Sequence, residues 1–96
     1  MLSPEGWEKK ELDAYLDSIG AYVIKPMTGG FGGSGHGDRV CCIDGIFVSI
    51  EVKREGKEPT PIQWRRIEEV EAAGGFAFWG TAAKIIGDMK IAFDSE

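Results

Sequence analysis

The chain has 96 residues, of which 43% are hydrophobic, and its formal net charge is −5. This length and composition exclude a second hydrophobic core and a disordered chain, and the negative charge argues against binding nucleic acid through overall positive charge. No apolar run reaches the ~20 residues of a membrane span and the charged N-terminus is unlike a secretory signal, so we expect one soluble, cytoplasmic domain over residues 1–96 with no membrane partner.

The first predicted element is a helix. Ser3 is a favourable N-cap, Pro4 suits the first helical position, and Gly20 is a typical helix end. Between them the helix carries an apolar stripe at helical spacing, formed by Leu12, Tyr15, Leu16 and Ile19. A short strand over residues 21–26 is predicted to follow.

Two glutamates of this helix are candidates for a functional carboxylate. Glu8 lies one turn before Leu12 and extends the core-facing stripe, so it points either to the edge of the core or into a site. Glu11 lies one turn before Tyr15 and is the competing candidate. The position of Glu8 on the stripe favours Glu8.

A glycine-rich stretch follows the first strand. Six of the residues from 29 to 37 are glycines, and the stretch lacks the Gly-Lys-Ser/Thr ending of a phosphate-binding loop. It is either a plain flexible connection or a mobile loop at the mouth of a site. His36 lies in it, where it is either solvated or close enough to a substrate to contact phosphate.

The central feature of the sequence is a β-hairpin. Asp44-Gly45 predicts a two-residue turn, since both positions of such a turn need positive φ. The turn fixes the register, and the predicted pairs are Ile43 with Ile46, Cys42 with Phe47, Cys41 with Val48, Val40 with Ser49, and Arg39 with Ile50.

One step beyond these pairs, Asp38 is predicted to face Glu51, with Lys53 on the same side of the sheet. Like charges placed directly opposite each other destabilise a sheet, and a divalent cation would remove that penalty. Metal binding is therefore the first functional hypothesis.

The second half of the chain predicts a helix, a strand and a further short element. Thr60-Pro61 begins the helix, and Gln63 lies one turn before Ile67 on its inner face. Residues 76–79 predict a central strand, 82–86 a short helix, and 89–93 either an edge strand or a packed tail. The order α-β-β-β-α-β predicts an α/β fold, with a small mixed sheet flanked by helices.

The pattern D-x12-E-x-K formed by Asp38, Glu51 and Lys53, on adjacent strands before a helix, resembles the PD-(D/E)xK nuclease superfamily, which has a restriction-endonuclease-like core. A longer pattern resembles the virus-type replication-repair nuclease (VRR-NUC) family: a helix with a glutamate, a glycine-rich loop, Gly-Asp, IEVKREG, TPIQ and an AGG strand. It extends from about Glu8 to about Thr81. One departure is Gly37, where the family usually has proline.

The resemblance implies hydrolysis of DNA phosphodiester bonds with Mg²⁺, or Mn²⁺ as its substitute. Oxygen ligands without cysteine or histidine suit these ions rather than zinc. The implied ligands are Asp38, Glu51, the Val52 carbonyl and Glu8, the last through metal-bound water or a second ion. Lys53 would orient or deprotonate the attacking water, and Gln63 would hold Lys53 or a phosphate oxygen.

The implied partner is DNA. Candidate phosphate contacts are the basic residues near the site: His36, Arg39, Arg54, Lys57, Arg65 and Arg66. Small members of this family resemble Holliday-junction resolvases, which suggests a homodimer that cuts four-way junctions and is encoded by a bacterium or phage. Phe76, Phe78 or Trp79 would supply the dimer contact if they are not core residues.

Three other functions stay open. The first is a flap or nicking nuclease within a larger phage or repair assembly, and the second is a non-catalytic DNA-binding module on the same fold. The third is an enzyme like the type II restriction endonucleases, although nothing in the sequence resembles a base-reading element.

Overall fold

The structure is a computed structural model and describes residues 2–26 and 36–93; the glycine-rich stretch 27–35 lies outside them. Its elements are α1 (Pro4–Ser18), β1 (Tyr22–Ile24), β2 (Arg39–Ile43), β3 (Ile46–Val52), α2 (Pro61–Ala72), β4 (Phe76–Gly80) and α3 (Ala82–Phe93). The strands form one sheet in the order β1-β2-β3-β4, with antiparallel pairing up to β3 and parallel pairing between β3 and β4. The predicted mixed sheet flanked by helices is confirmed.

Both predicted helix starts are present. The Ser3 hydroxyl accepts a hydrogen bond from the Gly6 N–H at 3.0 Å. At α2 the cap is reciprocal, because Thr60 Oγ1 accepts from the Gln63 N–H at 3.4 Å while Gln63 Oε1 accepts from the Thr60 N–H at 2.8 Å. Local sequence therefore fixes where α1 and α2 begin.

The hairpin between β2 and β3 has the predicted turn and register. Asp44 and Gly45 both have positive φ, of 51° and 81°, and all five predicted pairs from Ile43–Ile46 to Arg39–Ile50 are formed. The ladder ends at Arg39, and the N–H of Asp38 still donates to the Ile50 carbonyl at 2.7 Å. Asp38 is thus tied to β3 just beyond the regular strand.

Helices α1 and α3 cover one face of the sheet. The two helices and alternate residues of β3 form the core between them. Its most deeply buried side chains are Leu12, Leu16, Val48, Ile50, Val52, Ile85 and Met89. Helix α2 packs on the opposite face through Ile67 and through the edge-to-face contact of Trp64 with Trp79, whose ring centroids are 5.5 Å apart.

The C-terminal expectation is wrong in one respect. Residues 89–93 form neither an edge strand nor a tail, since α3 runs without a break from Ala82 to Phe93. Ala82, Ile85 and Met89 recur at helical spacing and are all buried, so the stripe faces the core only if the helix continues. Phe78 is likewise a core residue, stacked against Phe76 with ring centroids 6.0 Å apart.

One end of the sheet collects the predicted site. The end of β3, the end of β4 and the start of β2 all lie there, because β3 and β4 are parallel and β2 is antiparallel to β3. Within the described residues, no helix has both the length and the apolar character needed to cross a membrane.

Candidate metal centre

Asp38 and Glu51 bring their carboxyl groups into contact. Asp38 Oδ2 accepts a hydrogen bond from the Val52 N–H at 2.8 Å, which fixes the carboxylate beside β3. Glu51, the residue before Val52 on β3, is only 7% exposed, and its side chain is hydrogen-bonded to that of Asp38. The carboxyl pair predicted from the hairpin is therefore assembled in the structure.

This pair is electrostatically costly. Burial above all, then the negative charge of Asp38 and its hydrogen bond, raise the pKa of Glu51 to about 8; Lys53 opposes the shift and Glu5 adds to it. At neutral pH without a metal, Glu51 is therefore mainly protonated.

Lys53 directly follows β3, two residues after Glu51. Its backbone N–H donates to the Gly80 carbonyl at 2.7 Å, which holds the end of β3 to the end of β4. Its charge acts on Glu51, so its side chain is close to the carboxyl pair. The predicted proximity of Lys53 to the two carboxyl groups is present.

The carboxylate of α1 that faces the pair is Glu5 rather than Glu8. Glu5 is the α1 residue whose charge acts on Glu51, whereas Glu8 Oε1 accepts a hydrogen bond from the Ala82 N–H at 2.8 Å and caps α3. Glu11, the competing candidate, is exposed on α1. The stripe that favoured Glu8 does face the core, as Leu12 shows, but there it meets α3 and not the carboxyl pair.

Lys9 completes the α1 side of the site. Its ammonium lies 3.4 Å from Asp38 Oδ1 and 3.8 Å from Glu5 Oε2. Neither Glu5 nor Lys9 was predicted from the sequence as a site residue, although their i, i+4 spacing places them on one face of a helix.

Gln63 is placed differently from the expectation. Its Oε1 is committed to the Thr60 N–H in the cap of α2. Its amide nitrogen, which can only donate, is therefore the end available for a phosphate oxygen, whereas the Lys53 ammonium has no lone pair to accept from it.

The basic residues separate into two groups. Arg39 is only 9% exposed and donates two hydrogen bonds to Asp13, at 2.7 and 2.9 Å, and a third to the Asp38 carbonyl. The geometry argues against Arg39 as a phosphate contact, because its donors are used inside the protein. His36 and Arg65 are exposed, and Arg66 pairs with Glu69 at 3.0 Å.

Two open cavities flank the loop that follows β3. One, of about 460 Å³, is lined by residues that include Glu5, Lys53, Arg54 and Lys57. The other, of about 350 Å³, lies on the far side of the loop and shares Arg54 and Lys57 with the first.

The second cavity brings in Lys84, which the sequence analysis did not select. Its ammonium is bound by the Trp79 carbonyl at 2.9 Å and lies 4.2 Å from the centroid of the Trp79 ring. The two cavities therefore form a continuous, partly basic surface from Glu5 to Lys84.

The donor set suits a hard divalent cation. Among residues 2–26 and 36–93 no group of three histidine, cysteine, aspartate or glutamate side chains is arranged around one point as a complete metal cage. Two carboxyl groups in contact beside the backbone of Val52 still supply the oxygen ligands that Mg²⁺ and Mn²⁺ take, with water filling the other positions. The residues present fit such an ion.

Comparison with known proteins gives one close structural match. No family model and no curated protein matches the sequence. The fold matches a solved structure described as a VRR_NUC domain, with a TM-score of 0.77, 26% sequence identity, and coverage of 95% of this chain and 97% of that chain. The resemblance to the VRR-NUC family seen in the sequence is thereby confirmed.

Proposed function

We propose that this chain, which has the fold of a VRR_NUC domain, is a metal-dependent nuclease that hydrolyses DNA phosphodiester bonds. The observation that carries the proposal is the buried contact between Asp38 and Glu51, beside Lys53, at one end of the sheet. A pair that raises the pKa of Glu51 to about 8 destabilises the fold unless a ligand uses it. We treat residues 1–96 as one such domain.

Asp38, Glu51 and the Val52 carbonyl would hold Mg²⁺, or Mn²⁺ in its place. When bound, the ion would act as a Lewis acid on the scissile phosphate and lower the pKa of a coordinated water. Glu5 takes over the role expected of Glu8, which is to hold water at the site.

The other residues of the chain position the reactants. Lys53 would orient the attacking water and stabilise charge developing on the phosphate. Gln63 would hold a phosphate oxygen through its amide nitrogen, the end that its cap on Thr60 leaves available. Glu8 fixes the start of α3 against α1 and has a positioning role.

The surface around the two cavities would bind the DNA backbone. Arg54 and Lys57 line both cavities, and Lys84 extends the surface away from Glu5. The remaining candidates from the sequence are His36, Arg65 and Arg66. Their charges would supply phosphate contacts on a protein whose net charge of −5 gives no general attraction.

The proposed substrate is a four-way junction cut by a homodimer, because two symmetric cuts need two sites related by a two-fold axis. The support is an exposed apolar row across three neighbouring strands of the sheet, β1, β2 and β3. Tyr22 is 70% and Phe47 48% exposed, and both flank Cys42 in the register. An apolar row of this kind favours association with another chain.

The same apolar row supports the second candidate, a flap or nicking nuclease inside a larger assembly. Light scattering of the purified chain, with and without Tyr22→Ser, tests whether a second copy covers the row. Cleavage of junction, flap and linear duplex substrates separates the two candidates, since the homodimer should prefer the junction.

The nuclease proposal itself is tested by cleavage with Mg²⁺ or Mn²⁺ on that substrate panel. Asp38→Asn should reduce cleavage by a factor on the order of 10² or more, because it removes a charge that the ion requires. Asp44→Asn is the matched control, since it makes the same change at the other end of the hairpin in a turn that asparagine tolerates. No cleavage of any DNA by the unaltered chain would refute the proposal, and unchanged cleavage by Lys53→Ala would favour a different mechanism.

A further inference from the structure

Lys9 is the cation closest to the carboxyl pair on the α1 side. Its Nζ lies 3.4 Å from Asp38 Oδ1 and 3.8 Å from Glu5 Oε2, and Glu51 is in contact with Asp38. One ammonium group is thus adjacent to two carboxylates, one of which belongs to the carboxyl pair. Surface lysines seldom occupy such a position, because the surrounding negative charge has to be created by the fold.

The two oxygens of Asp38 have different partners. Oδ2 is held by the Val52 N–H at 2.8 Å, and Oδ1 has the Lys9 ammonium as its partner. A metal ion that used Asp38 would compete for these same oxygens. Lys9 and a divalent cation would therefore compete for the Asp38 carboxylate.

We propose that Lys9 is an internal counter-ion that competes with the divalent cation for Asp38, and that metal binding displaces its ammonium from Oδ1. This inference rests on the proposed metal site. A lysine ammonium and a divalent ion repel each other, and both draw on the negative charge of the same carboxylate oxygen, so binding of the ion weakens the hold of Asp38 on Lys9. The Lys9 side chain is 32% exposed, so it can move toward solvent without leaving a buried charge.

The competition has a functional consequence. In the metal-free protein Lys9 offsets part of the repulsion between Glu5 and Asp38, which helps to keep the site formed before the ion binds. The same charge weakens metal affinity. We therefore expect the ion to exchange readily with solvent. It should be bound firmly only when a further ligand, such as a phosphate group of DNA, also coordinates it.

The first test is calorimetric titration of the 96-residue chain with Mn²⁺ or Mg²⁺ alone. Lys9→Gln should bind the ion roughly tenfold more tightly, the effect of removing one solvent-screened charge about 5 Å from a divalent ion. Lys9→Arg keeps the charge and should retain the original affinity within about twofold. Lys10→Gln is the matched control, because Lys10 is exposed beside Trp7, 5.2 Å from its ring centroid, and should also leave affinity within about twofold.

The second measurement needs no variant. During a Mg²⁺ titration, the side-chain NMR signals of Lys9 should shift with the same midpoint as the backbone amide of Val52, while those of Lys10 stay in place. Equal affinities for Lys9→Gln and Lys10→Gln, weaker binding by Lys9→Gln, or an unmoved Lys9 signal would each overturn the proposal. If the unaltered chain binds no divalent ion, the proposed metal site itself fails, which is a distinct result.

Discussion

Glu51 and Asp38 hold their carboxyl groups in hydrogen-bonding contact where Glu51 is only 7% exposed. The contact opposes folding at neutral pH, because either a proton or a cation has to neutralise it. The carboxyl pair should therefore affect the free energy of unfolding of the metal-free protein, which can be measured without any cleavage assay.

The stability of the metal-free protein should fall as pH rises from about 4.5 to about 8. Unfolded glutamate titrates near 4.5, while the pKa of Glu51 in the fold is raised to about 8. Between these values the folded state binds more protons than the unfolded state, so the free energy of unfolding decreases with pH, by an amount on the order of a few kcal/mol. Urea unfolding in the presence of EDTA across this range measures the slope.

Glu51→Gln is the variant that isolates this effect. It should flatten the pH dependence and unfold at higher urea than the unaltered chain at pH 8, while losing Mg²⁺ binding and cleavage. Glu55→Gln, at an exposed position of the neighbouring loop, should keep the original slope. A Glu51→Gln protein that is less stable than the unaltered chain at pH 8 would contradict the raised pKa of Glu51.

The contacts of the site that could be predicted from the sequence are those fixed by local structure. The Asp38–Glu51 contact was predictable, because Asp44-Gly45 fixes the hairpin through turn geometry alone. Glu5 was not, since which part of α1 meets the end of the sheet depends on how α1 packs against α3. Sequence spacing identified the core stripe of α1 and left open what that stripe would contact.

Two other residues show the same limit. Arg39 looked like any basic residue near the site, and only the packing of α1 brings Asp13, 26 positions away, into its reach. Met89 lies in a short apolar run that suits a strand or a helix equally well. Its burial together with Ile85 decided for the helix.

Gly37 should be the glycine least tolerant of alanine among those near the site. Its φ is +98°, and an added Cβ would lie 2.8 Å from Ser49 Oγ and 3.0 Å from the Ile50 carbonyl oxygen. A proline, with φ fixed near −65°, would be incompatible with this conformation, which accounts for the departure from the family pattern. Gly37→Ala should cost about 2–3 kcal/mol of unfolding free energy and weaken metal binding, because Asp38 follows directly.

Gly20 provides the comparison for that prediction. Its φ is +73°, and an added Cβ would meet nothing within 4 Å. Gly20→Ala should therefore cost only the backbone strain, about 1 kcal/mol, with metal affinity unchanged. Chemical denaturation and metal titration of the two variants check both parts, and equal losses would mean that the contact with Ser49 is readily relieved.

Lys84 should contribute a phosphate contact at the second cavity. Lys84→Gln is expected to weaken DNA binding and to lower the slope of log affinity against log salt by about 1. Its exposed ion pair with Asp88, 3.1 Å apart, contributes little stability. The variant also loses the contacts with the Trp79 carbonyl and ring, so urea unfolding is measured beside DNA binding. The measurement is fluorescence anisotropy on an uncut junction with Asp38→Asn as the background.

Lys90→Gln is the control for Lys84→Gln. Lys90 lies on the same helix, exposed, and its ammonium is 5.9 Å from the centroid of the Tyr15 ring. The two variants have the same net charge, so a general electrostatic effect would lower the salt slope of both equally. A reduction confined to Lys84→Gln supports a direct contact.

We expect Arg39 to stabilise the fold and not to contact DNA. Its hydrogen bond to Asp13 is the main reason that the pKa of Asp13 is lowered, so the pair stabilises the fold above the ordinary carboxyl pKa near 3.8 and loses that effect as pH falls. Arg39→Lys keeps the charge but loses the two-pronged bond, and should cost about 2–3 kcal/mol of unfolding free energy. The salt slope of DNA binding should not change.

Lys57→Gln should show the opposite behaviour, with unaltered stability and a slope lower by about 1, because Lys57 is exposed and lines both cavities. Urea unfolding and salt-dependent anisotropy of the two variants are the measurements. An Arg39→Gln protein that keeps its stability while its slope falls by about 1 would return Arg39 to the DNA surface. The stability loss for Arg39→Lys should become smaller in an Asp13→Asn background, because the two hydrogen bonds to the Asp13 carboxylate are then no longer available to lose, while the one to the Asp38 carbonyl remains.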